Sequence, residues 1–128
     1  MVYRYTQHAA FLVPATTAAE YFIRNSPDMV PLWDFDAPPS QPYVDTSSSA
    51  IVASALVELS TYLDRRDLLH HANRTVSTLL SDPRYIADDT APAVLWGNRH
   101  DCGSDSCTVI ETDYYLLEAI RRLATLAQ

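Results

Sequence analysis

The chain of 128 residues contains no lysine: its nine basic residues are all arginine, set against 16 acidic residues, for a net charge of -7. Without a basic stripe, nothing displaces counterions from a phosphate backbone, so nucleic acid is excluded as a partner. An anionic membrane surface is excluded on the same ground. No apolar run approaches the roughly 20 residues that span a bilayer. Glycine occurs only as Gly97 and Gly103. A dinucleotide fingerprint or a P-loop needs several glycines at fixed spacing, and both are excluded. Two cysteines, Cys102 and Cys107, are too few for a disulfide-stapled secreted scaffold. The opening MVYRYTQHAAFLVP lacks the basic-then-apolar order of a signal peptide, which reads as a cytoplasmic chain with two free thiols by default and a Cys102–Cys107 disulfide closing the loop as the alternative.

What is present is apolar residues at helical spacing. Hydrophobic residues make up 48 % of the chain, which excludes global disorder, and the length is that of a single domain. Segment 47–63 is apolar nearly all the way round and predicts a helix covered on every side. Asp45, Thr46 and Ser47 stand where an N-cap is needed. Segment 66–81 places Leu68, Leu69, Ala72, Val76, Leu79 and Leu80 on one face and charged or polar residues on the other, an amphipathic surface helix stopped by Pro83. The short gap between the two predicts an antiparallel hairpin. Segments 10–25 and 112–127 read as further helices, the second again apolar on most faces, and 1–5 reads as the last turn of another. Alternation of wholly covered and amphipathic helices is the pattern of an all-α toroid of helical hairpins. No fixed-period repeat marks a solenoid.

Two stretches are not helical. Segment 26–46 holds five of the eight prolines and the run WDFDAPPSQPYVDT, in which Trp33 and Phe35 alternate with Asp34 and Asp36. An aromatic face beside carboxylates suits a sugar ring, and paired carboxylates run glycoside hydrolysis. The same residues also suit a loop anchored by its aromatics with solvated acids. Asp45 and Asp113 read either as helix caps or as site residues. In segment 82–111, Val94, Leu95 and Trp96 suggest a short strand among turn formers. His100 with Cys102 and Cys107 is the one conceivable metal cluster, and it lacks a fourth ligand at recognisable spacing. The sequon at Asn73 falls inside a predicted helix and reads as chance.

The runs YRYT (3–6), AAEYFIRN (18–25), VPLWDFDAP (30–38), DTSSSAIVASALVELS (45–60) and DYYLLEAI (113–120) follow the order found in unsaturated glucuronyl hydrolases. The chain resembles the C-terminal part of glycoside hydrolase family 88 over nearly its whole length, least closely at 82–111. Family 105, the unsaturated rhamnogalacturonyl hydrolases, shares the fold and is the neighbouring alternative. A non-catalytic remnant is the other.

The resemblance implies an all-α fold, helical hairpins of an incomplete (α/α)6 toroid, with residues 1–128 the C-terminal part of one such domain. It implies an enzyme that hydrates the C4=C5 bond of a terminal unsaturated uronic acid and so releases it from lyase-generated oligosaccharides, with an aspartic acid as general acid and base and no metal or organic cofactor. The family's catalytic aspartates lie upstream of the matching part, so no catalytic residue is expected here and the isolated chain is expected to be inactive. The substrate-binding set implied is Trp33, Asp36, Asp45, Trp96, Asp113 and Tyr114. The sequence departs from the pattern at VLWG (94–97), where the family has Leu-Leu-His-Gly, and at Glu111-Thr112, where it has Trp-Gly. An open ring leaves apolar helices bare, so self-association of the isolated chain is expected.

Overall fold

The computed structural model describes residues 2–96 and 107–127. Gly97, His100, Cys102 and Gly103 lie outside the described residues. The helices are α1 (Val2–Thr6), α2 (Leu12–Asn25), α3 (Thr46–Leu63), α4 (Arg66–Ser81) and α5 (Ile110–Leu126), with a 3-10 turn at Ala9–Phe11 before α2. The segment expected as one helix over 10–25 is thus split, and Pro14 lies in the first turn of α2, where a missing N–H costs nothing.

α3 begins where its cap dictates. Asp45 accepts hydrogen bonds at Oδ1 from the Ser47 amide at 2.9 Å and the Ser48 amide at 3.3 Å. The helix ends at Asp64, whose φ of 48° is the left-handed conformation that Asp tolerates better than most side chains. Arg65 alone then separates that cap from α4, so the two helices fold back on each other as the spacing predicts. Leu68, Ala72, Thr75, Val76 and Leu79 of α4 are buried, while Arg66, Asp67, His70, Asn73, Arg74 and Ser77 are exposed.

Partners along α3 and α5 give their relative direction. The Ser54 hydroxyl donates to Glu118 at 2.6 Å, and farther along both helices Arg122 pairs with Glu58 at 3.0 Å. Partner numbers rise together, so α3 and α5 run parallel, side by side, with the antiparallel α4 behind them. Ala50, Ala53, Leu116 and Ala119 meet between α3 and α5, and Val76, Leu79, Tyr85 and Leu95 close that core from outside. A second core joins Ala19 of α2 to Leu56, Val57, Leu59, Leu68 and Ala72. α1 docks on the C-terminal half of α3: Tyr3 meets the Tyr62 ring edge-on at 4.9 Å, and Arg4 Nε donates to Glu58 Oε1 at 3.1 Å. The row α1, α3, α5, backed by α2 and α4, is the layered arrangement of helical hairpins expected from the sequence.

One expectation is met and two are corrected. The open ring was expected to leave its apolar terminal helices bare, and among the described residues α5 buries only Thr112, Asp113, Leu116 and Ala119. Tyr114 and Leu117 are 59 % and 60 % exposed. The strand expected at 94–96 is a single antiparallel bridge between Ile86 and Leu95, and Asp113 helps to hold it, as described below. Finally, Cys107 is not a free thiol: it is disulfide-bonded.

Acid sensitivity follows from two groups on α3 and α4. Burial pushes the Glu58 carboxyl up, but hydrogen bonds, that of Arg4 foremost, and neighbouring positive charge, that of Arg122 included, together hold the group below its ordinary value of 4.5. Its stabilisation is present above that value and is lost as pH falls below it. Burial, with Arg74 and His70 nearby, lowers His71 below 6.5, and its Nε2 has no hydrogen-bond partner among the described residues. A histidine kept neutral by the fold costs stability as soon as pH drops beneath its unfolded value. Both effects have one sign. Melting temperature is expected to decline from neutral pH toward pH 6 and below, then more steeply below 4.5. His71→Gln should flatten the upper limb alone in a series of circular-dichroism melts.

Candidate functional site

The proline-rich segment after α2 is closed at its base by backbone pairing. Leu32 and Val44 form an antiparallel bridge. The Trp33 amide donates to the Tyr43 carbonyl and the Asp45 amide to the Pro31 carbonyl, both at 2.9 Å. At the tip, Asp34 turns the chain: its Oδ1 accepts from the Asp36 amide at 2.9 Å and its carbonyl from the Ala37 amide at 3.0 Å.

The two loop aromatics have different roles. Phe35 packs edge-on against Tyr21 and Phe22 of α2, with centroids 5.4 and 5.9 Å away, and so pins the loop to the helix. Trp33 keeps 39 % of its surface exposed on the wall of a groove of about 440 Å³. The other walls are Pro31, Leu32, Asp34, Phe35, Asp45, Ser48 and Ile51, so the groove lies between the loop and the first turns of α3. Phe22 and Val52 floor it. Asp36 is exposed and is not part of the wall.

Asp45 borders this groove while capping α3, and its Oδ1 also accepts from the Ser47 hydroxyl. The next residue reaches the second loop: the Thr46 hydroxyl donates to the Trp96 carbonyl at 3.0 Å. Trp96 in turn donates from its amide to the Tyr85 carbonyl at 2.6 Å. Asp113 serves this same loop rather than its own helix. Its Oδ2 accepts from the Val94 amide at 2.9 Å and its Oδ1 from the Leu95 amide at 3.3 Å, so both carboxylate oxygens hold the stretch that carries Trp96. The start of α5 at Ile110, earlier than the expected 112, sets Asp113 one turn into the helix and lets it reach sideways.

The fold thus gathers Trp33, Asp45, Trp96 and Asp113 at the end of the molecule where the parallel helices α3 and α5 begin. It leaves Asp36 at the loop surface. Tyr114 stands apart on the bare side of α5, against the Tyr115 ring at 5.1 Å, in a recess with Leu117, Glu118 and Arg121. Ser48 and Ile51 belong to the groove, and the sequence reading missed them; their helical spacing from Asp45 was the available signal. Among the described residues, no group of three or more His, Cys, Asp or Glu side chains is arranged to hold a metal ion. No helix among them is long and apolar enough to cross a membrane.

Parallel inner helices, antiparallel amphipathic outer helices, and a groove built by the loops that precede the inner helices define a piece of an (α/α)6 toroid of the glycoside hydrolase type. A crystal structure of an unsaturated glucuronyl hydrolase specific for heparin superposes on 98 % of this chain with a TM-score of 0.84 and 31 % identity, and the match covers 36 % of that protein. The chain is a part-length relative of the unsaturated glucuronyl hydrolases. It is 37 % identical over 131 aligned positions to that of Formosa agariphila, covering 95 % of this chain and 32 % of the relative. It is likewise 37 % identical to that of a Bacillus species, covering 94 % of this chain and 34 % of the relative. The chain therefore spans about a third of the length of the curated relatives it matches. No protein-family profile matches it.

Proposed function

We propose that residues 1–128 form the C-terminal part of one (α/α)6 domain and supply one wall of a substrate mouth for unsaturated uronyl oligosaccharides. The observation that carries this reading is the groove itself: an exposed tryptophan and a carboxylate line it together at the inner-helix end of a fold shared with a glucuronyl hydrolase of known structure. Trp33 stacks on the sugar ring and Asp45 accepts hydrogen bonds from its hydroxyls, while Asp36, on the exposed loop surface outside the groove wall, meets only a part of the oligosaccharide that extends beyond the groove. Trp96 stands on the adjoining loop, Asp113 holds that loop in place, and Tyr114 extends the rim. The acid/base aspartate comes from outside this segment, so hydrolysis of the C4=C5 sugar is a property of the complete domain. Both sequence relatives carry the glucuronyl name, and the rhamnogalacturonyl and non-catalytic alternatives are not favoured. The isolated chain self-associates through its bare apolar faces. The Cys107 disulfide weighs against a cytoplasmic setting, since cytosolic thiols are kept reduced.

The purified chain is expected to leave the C4=C5 absorbance of an unsaturated glucuronyl disaccharide unchanged above the buffer blank. Installed in place of its counterpart in an active relative, the segment is expected to support turnover. Trp33→Ala in that chimera should weaken disaccharide binding by about 1–3 kcal/mol, the usual scale for one large side chain. Turnover by the chain alone overturns the division of labour. A folded chimera in which Trp33→Ala leaves affinity unchanged returns Trp33 to the role of loop anchor.

A further inference from the structure

Three serines in a row open α3, and only two of them serve its cap. Ser47 and Ser48 bond to Asp45. Ser49 is fully buried and does not line the groove. Its hydroxyl donates to the Met29 carbonyl at 3.0 Å, and its other contact, to the Asp45 carbonyl, is longer at 3.4 Å. Met29 is 6 % exposed and has a φ of 69°, in the left-handed region that a long apolar side chain rarely adopts. Its thioether accepts a hydrogen bond from the Thr75 hydroxyl of α4 at 3.7 Å, and its amide donates to the Ser26 carbonyl at 3.0 Å. An unfavourable backbone conformation persists where several contacts fix it at once, and such residues gather where geometry matters to function.

Met29 turns the chain from the end of α2 into the segment that carries Trp33. Pro31 and Leu32 of that segment line the groove beside Trp33, and they also line a cavity of about 580 Å³ toward Arg74, Thr78 and Tyr85. The groove wall is thus a partition between two open spaces, and its place depends on how its ends are tied. The far end is tied by the backbone bonds of Pro31 and Trp33 to Asp45 and Tyr43. The near end hangs on Met29. We propose that Ser49 is a positioning residue: by holding the Met29 carbonyl it keeps the left-handed turn, and through that turn it sets where Trp33 stands against α3. Without Ser49 a buried carbonyl loses its hydroxyl partner. Return of Met29 to a negative φ then relieves the strain and moves Val30 and Pro31 off α3. The consequence for sugar binding rests on the groove reading above; the consequence for Trp33 does not.

The 128-residue chain itself tests the effect on Trp33. With Trp96→Phe, Trp33 is the one tryptophan left, and its emission and its quenching by acrylamide report its exposure. Ser49→Ala in that background is expected to shift the emission to the red and raise the quenching constant, with the helical circular-dichroism spectrum kept. Thr75→Val removes the donor on the α4 side and should move both in the same direction. Ser54→Ala is the control: this serine is also buried in α3, but its hydroxyl donates to Glu118, so its loss costs stability and leaves Trp33 as it was. In the active chimera, Ser49→Ala should raise KM for the disaccharide about three- to tenfold, the range of one net hydrogen bond, with the effect in KM and not in kcat. Added to Trp33→Ala it should do nothing more, because it acts through Trp33. Unchanged emission and quenching in a folded Ser49→Ala chain, or an equal change in Ser54→Ala, overturns the proposal. If Ser49→Ala does not fold, Thr75→Val decides in the same way. A KM that rises further in the double variant also overturns it. A chimera indifferent to Trp33→Ala overturns the substrate reading instead, and the quenching result still decides whether Ser49 positions the loop.

Discussion

Replacing Arg122 with alanine is expected to lower unfolding stability by about 3–5 kcal/mol, the range for breaking a buried ion pair from one side. Arg122 is only 16 % exposed and its partner Glu58 only 7 %. Its Nη1 donates to the Ser54 carbonyl at 2.6 Å, and its Nη2 reaches Glu58 at 3.0 Å and Glu118 at 3.1 Å. Removing the guanidinium leaves two carboxylates at the α3–α5 seam and takes from Glu58 its less exposed arginine partner, the more exposed Arg4 and Tyr62 at 3.2 Å remaining. Arg122→Met, which keeps the stem and drops the charge, should recover the packing part of the loss but not the ionic part. Glu58→Gln in the same background should recover part of the rest, because it removes the stranded charge. Urea unfolding of the four proteins checks the cycle. A loss below about 1 kcal/mol for Arg122→Ala would place the pair among solvent-screened surface bridges.

Asp113→Ala is expected to cost about 2–4 kcal/mol. Two backbone amides, those of Val94 and Leu95, lose a charged acceptor at once, and Leu95 is fully buried, so water does not replace it. The bridge between Ile86 and Leu95 is short, and without the clamp it keeps only the backbone bonds on either side of it and the Thr46 hydroxyl on the Trp96 carbonyl. The damage should therefore be local as well as global. Amide exchange at 94–96 should accelerate more than exchange within α3, and the fluorescence of Trp96 should shift. Asp113→Asn keeps one carbonyl acceptor and is expected to lose about half as much. Uniform acceleration across α3 and the 94–96 loop would show that Asp113 acts through α5 as a whole and not through the loop.

Helix positions were legible because local chemistry sets them. Asp45 with the serines after it, the short gap after 63, and the apolar spacing of 66–81 up to Pro83 specify where α3 begins and where α4 follows and ends without reference to distant residues. The amphipathic α4 and the nearly all-apolar α3 likewise specify which lies outside and which inside. The end of the molecule where the candidate groove lies was legible in part, because a proline-rich loop before a capped inner helix has nowhere else to go.

Pairings between distant segments were not legible. Asp113 looks like a cap for its own first turn, and only the seating of 94–95 beside α5 gives its two oxygens to another loop. Trp33 and Phe35 are equivalent in the sequence and both line the groove, and only the position of Tyr21 and Phe22 makes Phe35 an anchor to α2 as well. The apolar pattern of α5 asks for cover on two sides, but a periodicity cannot say whether a neighbour is present to provide it. Caps, turns and amphipathic faces are decided within a few residues of chain, so the sequence alone determines them. Which carboxylate meets which amide, and which apolar face stays bare, depends on how separate helices come together, and only the tertiary structure decides that.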